Sequence, residues 1–397
     1  MKSGARREER RADEPQRRQP RRVPLFDLRV DQQLLEAGEA TLASGWWSMG
    51  AKVAEFERSF AAFVGAKHAL AVSSGTAALH LAVLAAGCGP GDEVVVPSLT
   101  FVAAANTVAV TGARPVFCDV AGPDDLNLDP ADAEAAVTPA TRAVIVVHYG
   151  GFPCDVDAVL AFAERHRLLV IEDCAHAPGA LLGGRACGTL GHMGCFSFFS
   201  NKNLPVGEGG MLVTDDDALA DRVRLLRSHG MTTTTWERHR GHASSYDVVA
   251  AGLNYRLDEL RAAIGIVQLG RLAGENDSRA RIVARYREAL DGKRGISLPF
   301  AADDAERHSA HHLAVALLPP GTERVRVREQ LAAQGVETSV HYPPIHRFTA
   351  YSDNDRELPV TDSLVDRILT LPLYAHLADE DVGFVADTLL RAVDAER

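Results

Sequence analysis

The sequence lacks a long apolar run and closely paired cysteines. No hydrophobic segment opens the chain, as a secretory signal would require. The only uncharged stretch near membrane length, residues 94–113, contains Pro97, Ser98 and Asn106, so strand, loop and helix explain it better than a membrane span. The six cysteines show no C-x-x-C spacing and lie mainly in or beside apolar segments. We therefore expect buried, reduced thiols in a cytoplasmic protein with no membrane partner.

The common nucleotide-binding motifs are also missing. No G-x-G-x-x-G follows the first predicted strand, and no G-x-x-x-x-G-K-[ST] loop occurs, which argues against Rossmann and P-loop sites. The net charge of −11 makes a nucleic-acid-binding body unlikely on physical grounds. Residues 1–22 differ, because nine lysines and arginines stand there against four acidic residues, with almost no apolar ones. We predict a disordered basic tail, with a weak anionic partner or membrane surface as the alternative.

What the chain does contain is an alternation of short β-rich runs and helical stretches. Continuous apolar strands alternating with helices indicate an α/β domain whose sheet is mainly parallel and covered on both faces. We place this large domain at residues 23–274. The β-rich runs are residues 68–72, 93–97, 115–120, 143–148, 168–173, 195–199 and 211–214.

A smaller α+β domain is predicted over residues 275–397. Asp277 and Ser278 offer an N-cap for a helix that runs to about Leu290. An apolar run, a polar helix and a further strand then follow. Their ranges are residues 312–318, 323–335 and 336–341.

Three positions in the large domain carry the chemistry. Ser74-Gly75-Thr76 follows a strand and opens a helix, where free backbone N–H groups suit a phosphate, although such caps are common. Asp173 ends a strand, at the edge of the sheet where α/β proteins bind ligands, while Glu172 should face the other way. Alone, Asp173 is more often a cap or turn residue.

Lys202 is the third position. It follows an aromatic strand, so partial desolvation would lower its pKa and free its amine for Schiff-base chemistry; the alternative is a solvated loop lysine. An anion cradle, a reactive lysine and an acid beside a ring nitrogen are together what pyridoxal phosphate requires.

With these positions in view, the chain from residue 24 to about residue 392 resembles the DegT/DnrJ/EryC1/StrS family of pyridoxal phosphate-dependent aminotransferases. The resemblance implies a fold-type I transferase and a homodimer whose active sites lie at the subunit interface. The motifs that carry it include Ser74-Gly-Thr-Ala-Ala-Leu-His80, Glu172-Asp-Cys-Ala-His-Ala177, Phe196-Ser-Phe-Phe-Ser-Asn-Lys202, Gly207-Glu-Gly-Gly210, Gly252-Leu-Asn-Tyr-Arg-Leu-Asp-Glu259 and His341-Tyr-Pro-Pro-Ile-His346.

The resemblance also implies roles around the coenzyme ring. Lys202 would bind the coenzyme aldehyde and later move a proton between substrate and cofactor carbons. Asp173 would pair with the ring nitrogen, Phe101 would stack on the ring, and His176 would lie against its other side. Lys202 stands where a dehydratase branch of the family has histidine, which favours transamination.

Further roles concern the phosphate and the substrates. Gly75, Thr76 and Ser197 would bind the phosphate, joined by Asn254 from the neighbouring subunit. Arg256 is a candidate for an anionic group of donor or substrate. An interface ion pair is the alternative for this arginine.

His341 and His346 flank a proline turn. They would line a substrate-side loop, or serve as structural histidines. His308, His311 and His312 lie in or beside a predicted strand whose neighbours face opposite sides, so we expect no metal site.

The reaction implied is transfer of an amino group from glutamate or glutamine to a keto sugar, most specifically a nucleotide-linked keto-deoxyhexose. A cyclitol or aminoglycoside ring ketone is the alternative substrate, and a non-catalytic regulatory protein that binds the coenzyme is a further alternative. The long segment 231–249 would reach over the substrate site or form a surface loop.

Overall fold

A computed structural model of the chain describes residues 22–233, 236, 241, 245–300 and 306–396. The predicted disordered tail therefore lies outside the described residues, apart from Arg22, whose guanidinium donates to Glu337 at 2.6 Å. Most of the middle of segment 231–249 lies outside them as well, so its predicted reach over the substrate site stays a prediction.

A seven-stranded sheet organises the large unit, and its order is β1-β9-β8-β5-β4-β2-β3. Strand β9 is antiparallel to both neighbours, and the other six strands run in one direction. The prediction of a mainly parallel sheet is confirmed. The strands of the protein are β1 (His68–Val72), β2 (Glu93–Pro97), β3 (Arg114–Cys118), β4 (Thr141–Val147), β5 (Leu169–Asp173), β6 (Leu181–Leu182), β7 (Arg185–Ala186), β8 (Met193–Ser197), β9 (Gly210–Thr214), β10 (Arg307–His308), β11 (Ala314–Leu317) and β12 (Ile368–Leu371).

Helices cover both faces of this sheet. Consecutive strand residues point to opposite faces, so Val170 and Ile171 of β5 enter two separate apolar cores. One core is completed by α2 and α6, and the other by α3, α4 and α7. The helices are α1 (Gln32–Ala43), α2 (Ala51–Val64), α3 (Gly75–Ala85), α4 (Ala103–Ala109), α5 (Pro130–Ala135), α6 (Val156–His166), α7 (Asp217–Leu226), α8 (Glu259–Leu269), α9 (Leu272–Leu290), α10 (Arg324–Ala333), α11 (Pro359–Leu364) and α12 (Asp379–Ala395).

The C-terminal part packs around its own core, where α9, α10 and α12 cover the antiparallel pair β11–β12. Helix α9 begins at Leu272 rather than at the predicted cap, because Ser278 Oγ bonds back to the Gly274 carbonyl (3.0 Å) inside the helix. Residues 336–341 form isolated bridges, Val336 with Val23 and Ser339 with Thr370, instead of the predicted strand. The division at residue 274 would fall inside α9, and it stays a prediction.

The cysteines and the helices bear on two expectations from the sequence, buried thiols and the lack of a membrane span. All six cysteines are buried and unpaired. Among the helices that the structure describes, none combines the length and apolarity needed to cross a bilayer.

Candidate functional site

The carboxyl ends of the central strands meet at a cavity of about 410 Å³. We call it the coenzyme cavity. Because β5 and β8 are parallel neighbours, their ends bring Asp173 and Ser197 to the same edge of the sheet. Eight of the predicted site residues line it: Gly75, Thr76, Phe101, Asp173, His176, Ser197, Lys202 and His341.

One side of the cavity is the N-terminus of α3. Ser74 caps this helix, because its Oγ accepts the Ala77 N–H at 3.0 Å. The Gly75 and Thr76 N–H groups precede the first intrahelical bond, so they can donate to an anion. Gly75 lies so close to Ser197 that an added Cβ would come within 2.7 Å of the Ser197 Cβ. Only glycine permits this approach of the two elements.

Asp173 is buried and faces the cavity from the end of β5. Its Oδ1 accepts the Ala175 N–H at 3.0 Å. Burial raises the pKa of this carboxyl group, which that hydrogen bond and the nearby Lys202 oppose. A buried carboxylate of this kind is stabilised by any cation that enters the cavity.

Lys202 lies in the turn that follows β8, where its N–H donates to the Phe199 carbonyl at 2.9 Å. Burial lowers the pKa of the amine to about 8, and the charge of Asp173 opposes this shift. The neutral amine, which reacts with an aldehyde, is therefore more abundant near neutral pH than in an ordinary lysine.

His176 has a defined protonation state. Its Nδ1 accepts the Gly150 N–H at 3.3 Å, so the ring proton resides on Nε2, which lies 2.9 Å from the Tyr342 hydroxyl. Burial, with the nearby charge of Lys202, holds the pKa of His176 well below its usual value. The imidazole is thus a neutral hydrogen-bond donor toward the cavity and has no lone pair available there to act as a base.

Two more lining residues differ in exposure. The Phe101 ring is 54% exposed at the rim, with its centroid 5.7 Å from that of Tyr342. His341 is partly buried, and its Nδ1 lies 2.9 Å from the Thr370 hydroxyl. Burial lowers the pKa of His341 to about 4, so this ring is neutral as well.

Three predicted site residues do not line the cavity. Asn254 is exposed, and Arg256 lies beside the end of β1, where it bridges Val72. The Arg256 Nη1 is buried and has no hydrogen-bond partner in the part of the chain that the structure describes. His346 is occupied at both ring nitrogens, by Ser98 (2.7 Å) and Asp362 (3.2 Å), as in a structural histidine.

Among the lining residues that the sequence interpretation missed are Asn201 and Tyr342. Both directly adjoin residues that it did select, Lys202 and His341. Their position in the same motifs was the available signal, but nothing in residue type alone distinguished them.

A separate buried group combines three metal-ligand residue types, His148, Glu172 and Cys174. Here Glu172 accepts hydrogen bonds from His148 Nε2 (2.9 Å) and from three backbone N–H groups at residues 188–191. His148 Nδ1 accepts the Cys154 N–H at 3.0 Å. These ligand atoms are committed to internal hydrogen bonds, so this group is best explained as structural.

The coenzyme cavity, in contrast, fits pyridoxal phosphate. The N–H groups of α3 suit its phosphate, the buried Asp173 suits a protonated ring nitrogen, and the desolvated Lys202 suits its aldehyde. The close contact between Gly75 and Ser197 adds a hydroxyl beside the same helix N-terminus.

Comparison with known proteins agrees with this assignment. The model of the DegT/DnrJ/EryC1/StrS aminotransferase family matches residues 29–390. The chain is 44% identical over 379 residues to the spore coat polysaccharide biosynthesis protein SpsC of Bacillus subtilis (strain 168), covering 93% of this chain and 96% of that protein.

Solved structures show the same relationship. The aminotransferase TlmJ from Streptoalloteichus hindustanus superposes with a TM-score of 0.88 at 35% identity, covering 94% of this chain and 99% of that one. DesV from S. venezuelae gives 0.85 at 36% identity over the same shares of the two chains. The chain therefore belongs to the DegT/DnrJ/EryC1/StrS aminotransferase family and is a pyridoxal phosphate-dependent aminotransferase of fold-type I.

Proposed function

We propose that this enzyme transfers the amino group of glutamate or glutamine to a keto sugar, most specifically a nucleotide-linked keto-deoxyhexose. The observation that carries the proposal is the convergence of Lys202, Asp173 and the N-terminus of α3 on one cavity of about 410 Å³. The names of two similar proteins support the substrate class. SpsC is named as a polysaccharide biosynthesis protein, and the name of Spr1654 from Streptococcus pneumoniae includes the words sugar aminotransferase.

The chain would position the coenzyme at two points, its phosphate and its ring nitrogen. When bound, pyridoxal phosphate supplies an aldehyde that takes up and returns the amino group and a ring that stabilises negative charge on the substrate carbon. The N–H groups of Gly75 and Thr76 and the hydroxyl of Ser197 would bind its phosphate. Asp173 would accept the hydrogen bond of the ring nitrogen and keep that nitrogen protonated, because the buried carboxylate favours an adjacent cation.

Lys202 would be both the covalent anchor and the proton carrier. With its pKa lowered to about 8, its Nζ can release a proton and take one up near neutral pH. When it is not bonded to the coenzyme, the same amine would be placed to remove a proton from the substrate carbon and to return it.

The remaining lining groups would orient the substrate and the ring. His176 would donate from Nε2, and Phe101 would stack on the ring from the rim. Tyr342 accepts the His176 hydrogen bond and keeps its own hydroxyl proton for an acceptor in the cavity. His341 would line the substrate side, and His346, bonded to Ser98 and Asp362, would hold the same proline turn in place.

A homodimer would complete the site. Asn254 is exposed and does not line the cavity of its own subunit, so a contact with the phosphate requires the partner copy. The exposed Leu28, Val30, Leu35 and Leu42 lie along an apolar groove beside α1 that such a copy would cover. Arg256, with its unpaired Nη1, would bind an anionic group across the same interface.

The cellular compartment is proposed from the thiols. Six unpaired cysteines fit a reducing compartment, so we place the enzyme in the cytoplasm.

The covalent anchor is tested by borohydride reduction of the coenzyme-loaded protein followed by peptide mapping. We expect the label on the Lys202 peptide, and none in Lys202→Ala. A label on Lys67, an exposed lysine paired with Asp217, would contradict the assignment.

The substrate is tested with protein loaded with pyridoxamine phosphate. Nucleotide-linked 4-keto- and 3-keto-6-deoxyhexoses should discharge the pyridoxamine absorbance and yield the aminated sugar by mass spectrometry. Discharge by cyclitol ketones alone would reject the nucleotide-sugar substrate and establish the cyclitol alternative.

A further inference from the structure

A second, smaller cavity adjoins the coenzyme cavity and shares Asn201 and Lys202 with it. We call it the inner cavity. It lies where the N-terminal segment, the loop around Lys202 and helix α9 meet, and Arg279 and His312 contribute to its wall. Its volume of about 40 Å³ accommodates a carboxylate group with a water molecule but not the coenzyme.

Arg279 is a buried cation in this wall, and one of its donor groups is unsatisfied. Its side chain is only 10% exposed, and its Nη1 has no hydrogen-bond partner among the residues that the structure describes. Glu275 lines the same cavity and forms a long ion pair with Nη2 at 3.7 Å, which leaves Nη1 free for another acceptor. Burial lowers the pKa of Arg279, as expected for a guanidinium removed from water. An unpaired buried donor of this kind gains most from a charged acceptor.

Asn201 is an unsatisfied acceptor at the junction of the two cavities. Its Oδ1 is buried and has no partner within the described part of the chain. Asn203 fixes the orientation of His312 in the same wall. The Asn203 amide nitrogen donates to Asn276 and to a backbone carbonyl, so the Asn203 Oδ1 is the acceptor for His312 Nδ1 at 3.0 Å. The His312 Nε2 therefore carries a lone pair rather than a proton.

A buried guanidinium with a free Nη1 donor, beside an unpaired amide oxygen, is complementary to a free α-amino acid, which carries a carboxylate and an ammonium group on one carbon. We propose that the inner cavity binds the α-carboxylate of the amino donor through Arg279, while Asn201 accepts a hydrogen bond from the donor's amino group next to Lys202. This inference rests on the proposed function, because it assumes an amino-acid donor. A keto sugar lacks this carboxylate, so the site would serve only the donor half of the reaction.

The test uses 2-oxoglutarate, which bears an α-carboxylate but no amino group and so cannot transfer one to the pyridoxal form. Its binding to the coenzyme-loaded enzyme is measured by calorimetry. We expect the dissociation constant to rise at least about tenfold in Arg279→Gln, because a charge-assisted bidentate contact is lost. The matched control is Arg285→Gln, on the same helix but 51% exposed and paired with Asp379, which should bind 2-oxoglutarate as the unmodified enzyme does.

A second variant, Arg279→Lys, and a kinetic measurement separate loss of donor binding from loss of folding. Arg279→Lys preserves the charge and should fold even where the glutamine variant does not, yet it loses the planar fork and should bind at least about threefold more weakly. In Arg279→Lys, KM for glutamate should rise while the half-reaction of the pyridoxamine form with keto substrate stays unchanged.

Unchanged 2-oxoglutarate binding in either Arg279 variant, or its loss in Arg256→Gln instead, would overturn the inference. In both cases borohydride labelling of Lys202 would still support the proposed function, whereas absence of that label would reject the proposed function itself.

Discussion

Glu172 and Asp173 are neighbours at the end of β5, yet they lie in opposite environments. Glu172 is fully buried, and its oxygens accept four hydrogen bonds, from His148 and from backbone N–H groups of residues 188–191. Asp173 faces the coenzyme cavity, and its Oδ1 accepts one bond from Ala175. The alternation of a strand therefore sends one acid into a closed network and the other to a ligand. Of these two acids, the one whose oxygens are fully bonded stabilises the fold, and the one with a single protein partner faces the coenzyme cavity.

The largest expected difference between the two acids is in catalytic rate when each is replaced by its amide. Asp173→Asn should lower the rate of the donor half-reaction by about 10²–10³-fold, because the ring nitrogen loses the carboxylate that keeps it protonated. Stopped-flow absorbance with glutamate measures the rate. Glu172→Gln, examined at a temperature where it is folded, should keep the rate per folded molecule within about threefold. Equal losses in the two variants would contradict the division of roles.

Stability should respond in the opposite order. Glu172→Gln should lower the free energy of unfolding by about 3 kcal/mol, since the amide brings N–H groups against a site built for a buried acceptor. Asp173→Asn should leave the stability of the coenzyme-free protein unchanged or slightly raised. The raised pKa of Asp173 means that folding disfavours its charged form, and the amide removes that cost. Urea denaturation of both variants at neutral pH measures the difference, and a larger loss in Asp173→Asn would refute it.

The titration of Lys202 sharpens the same contrast. The neutral amine is the reactive form, so uptake of pyridoxal phosphate by the coenzyme-free protein should accelerate as pH rises through about 8. The charge of Asp173 favours the ammonium form, so Asp173→Asn should move this midpoint to lower pH. Glu172→Gln should leave it in place. Absorbance-detected uptake rates between about pH 6 and 10 provide the measurement, and a midpoint near the ordinary lysine value would disprove the desolvation of Lys202.

Much of the fold could be predicted from local sequence. All seven β-rich runs form strands of the main sheet, with ends shifted by about two residues, because continuous apolar β-branched runs are distinctive. The run at 336–341, VETSVH, is more polar and forms only isolated bridges, because its pairing depends on Val23 and Thr370, which are distant in sequence. Helix α9 begins at Leu272, before the predicted cap, and the Ser278 hydroxyl bonds to the Gly274 carbonyl inside the helix instead of capping it.

The candidate site divides in the same way. The motifs around Gly75, Asp173 and Lys202 could be recognised in the sequence because each combines a strand end with a turn. The ends of neighbouring strands meet at one edge of the sheet, which brings these motifs together. Arg279 and Asn201 could not be selected from the sequence, because each is marked by one buried atom, Nη1 or Oδ1, that has no hydrogen-bond partner within the described residues of the folded chain. No local pattern records a missing hydrogen bond.

The smallest expected effect concerns the hydroxyl of Tyr342, which lines the coenzyme cavity and bonds to His176. Tyr342→Phe removes the acceptor of the His176 Nε2–H, so the neutral imidazole loses its orientation while its tautomer remains fixed by Gly150. We expect the rate to fall by about three- to tenfold, with a stability cost of about 1 kcal/mol. Tyr351→Phe is the matched control, because that hydroxyl bonds to Asn106 away from the cavity and should cost similar stability without a change in rate. Equal rates in the two variants would show that the Tyr342 hydroxyl has no role in catalysis and is a structural group, as Glu172 is.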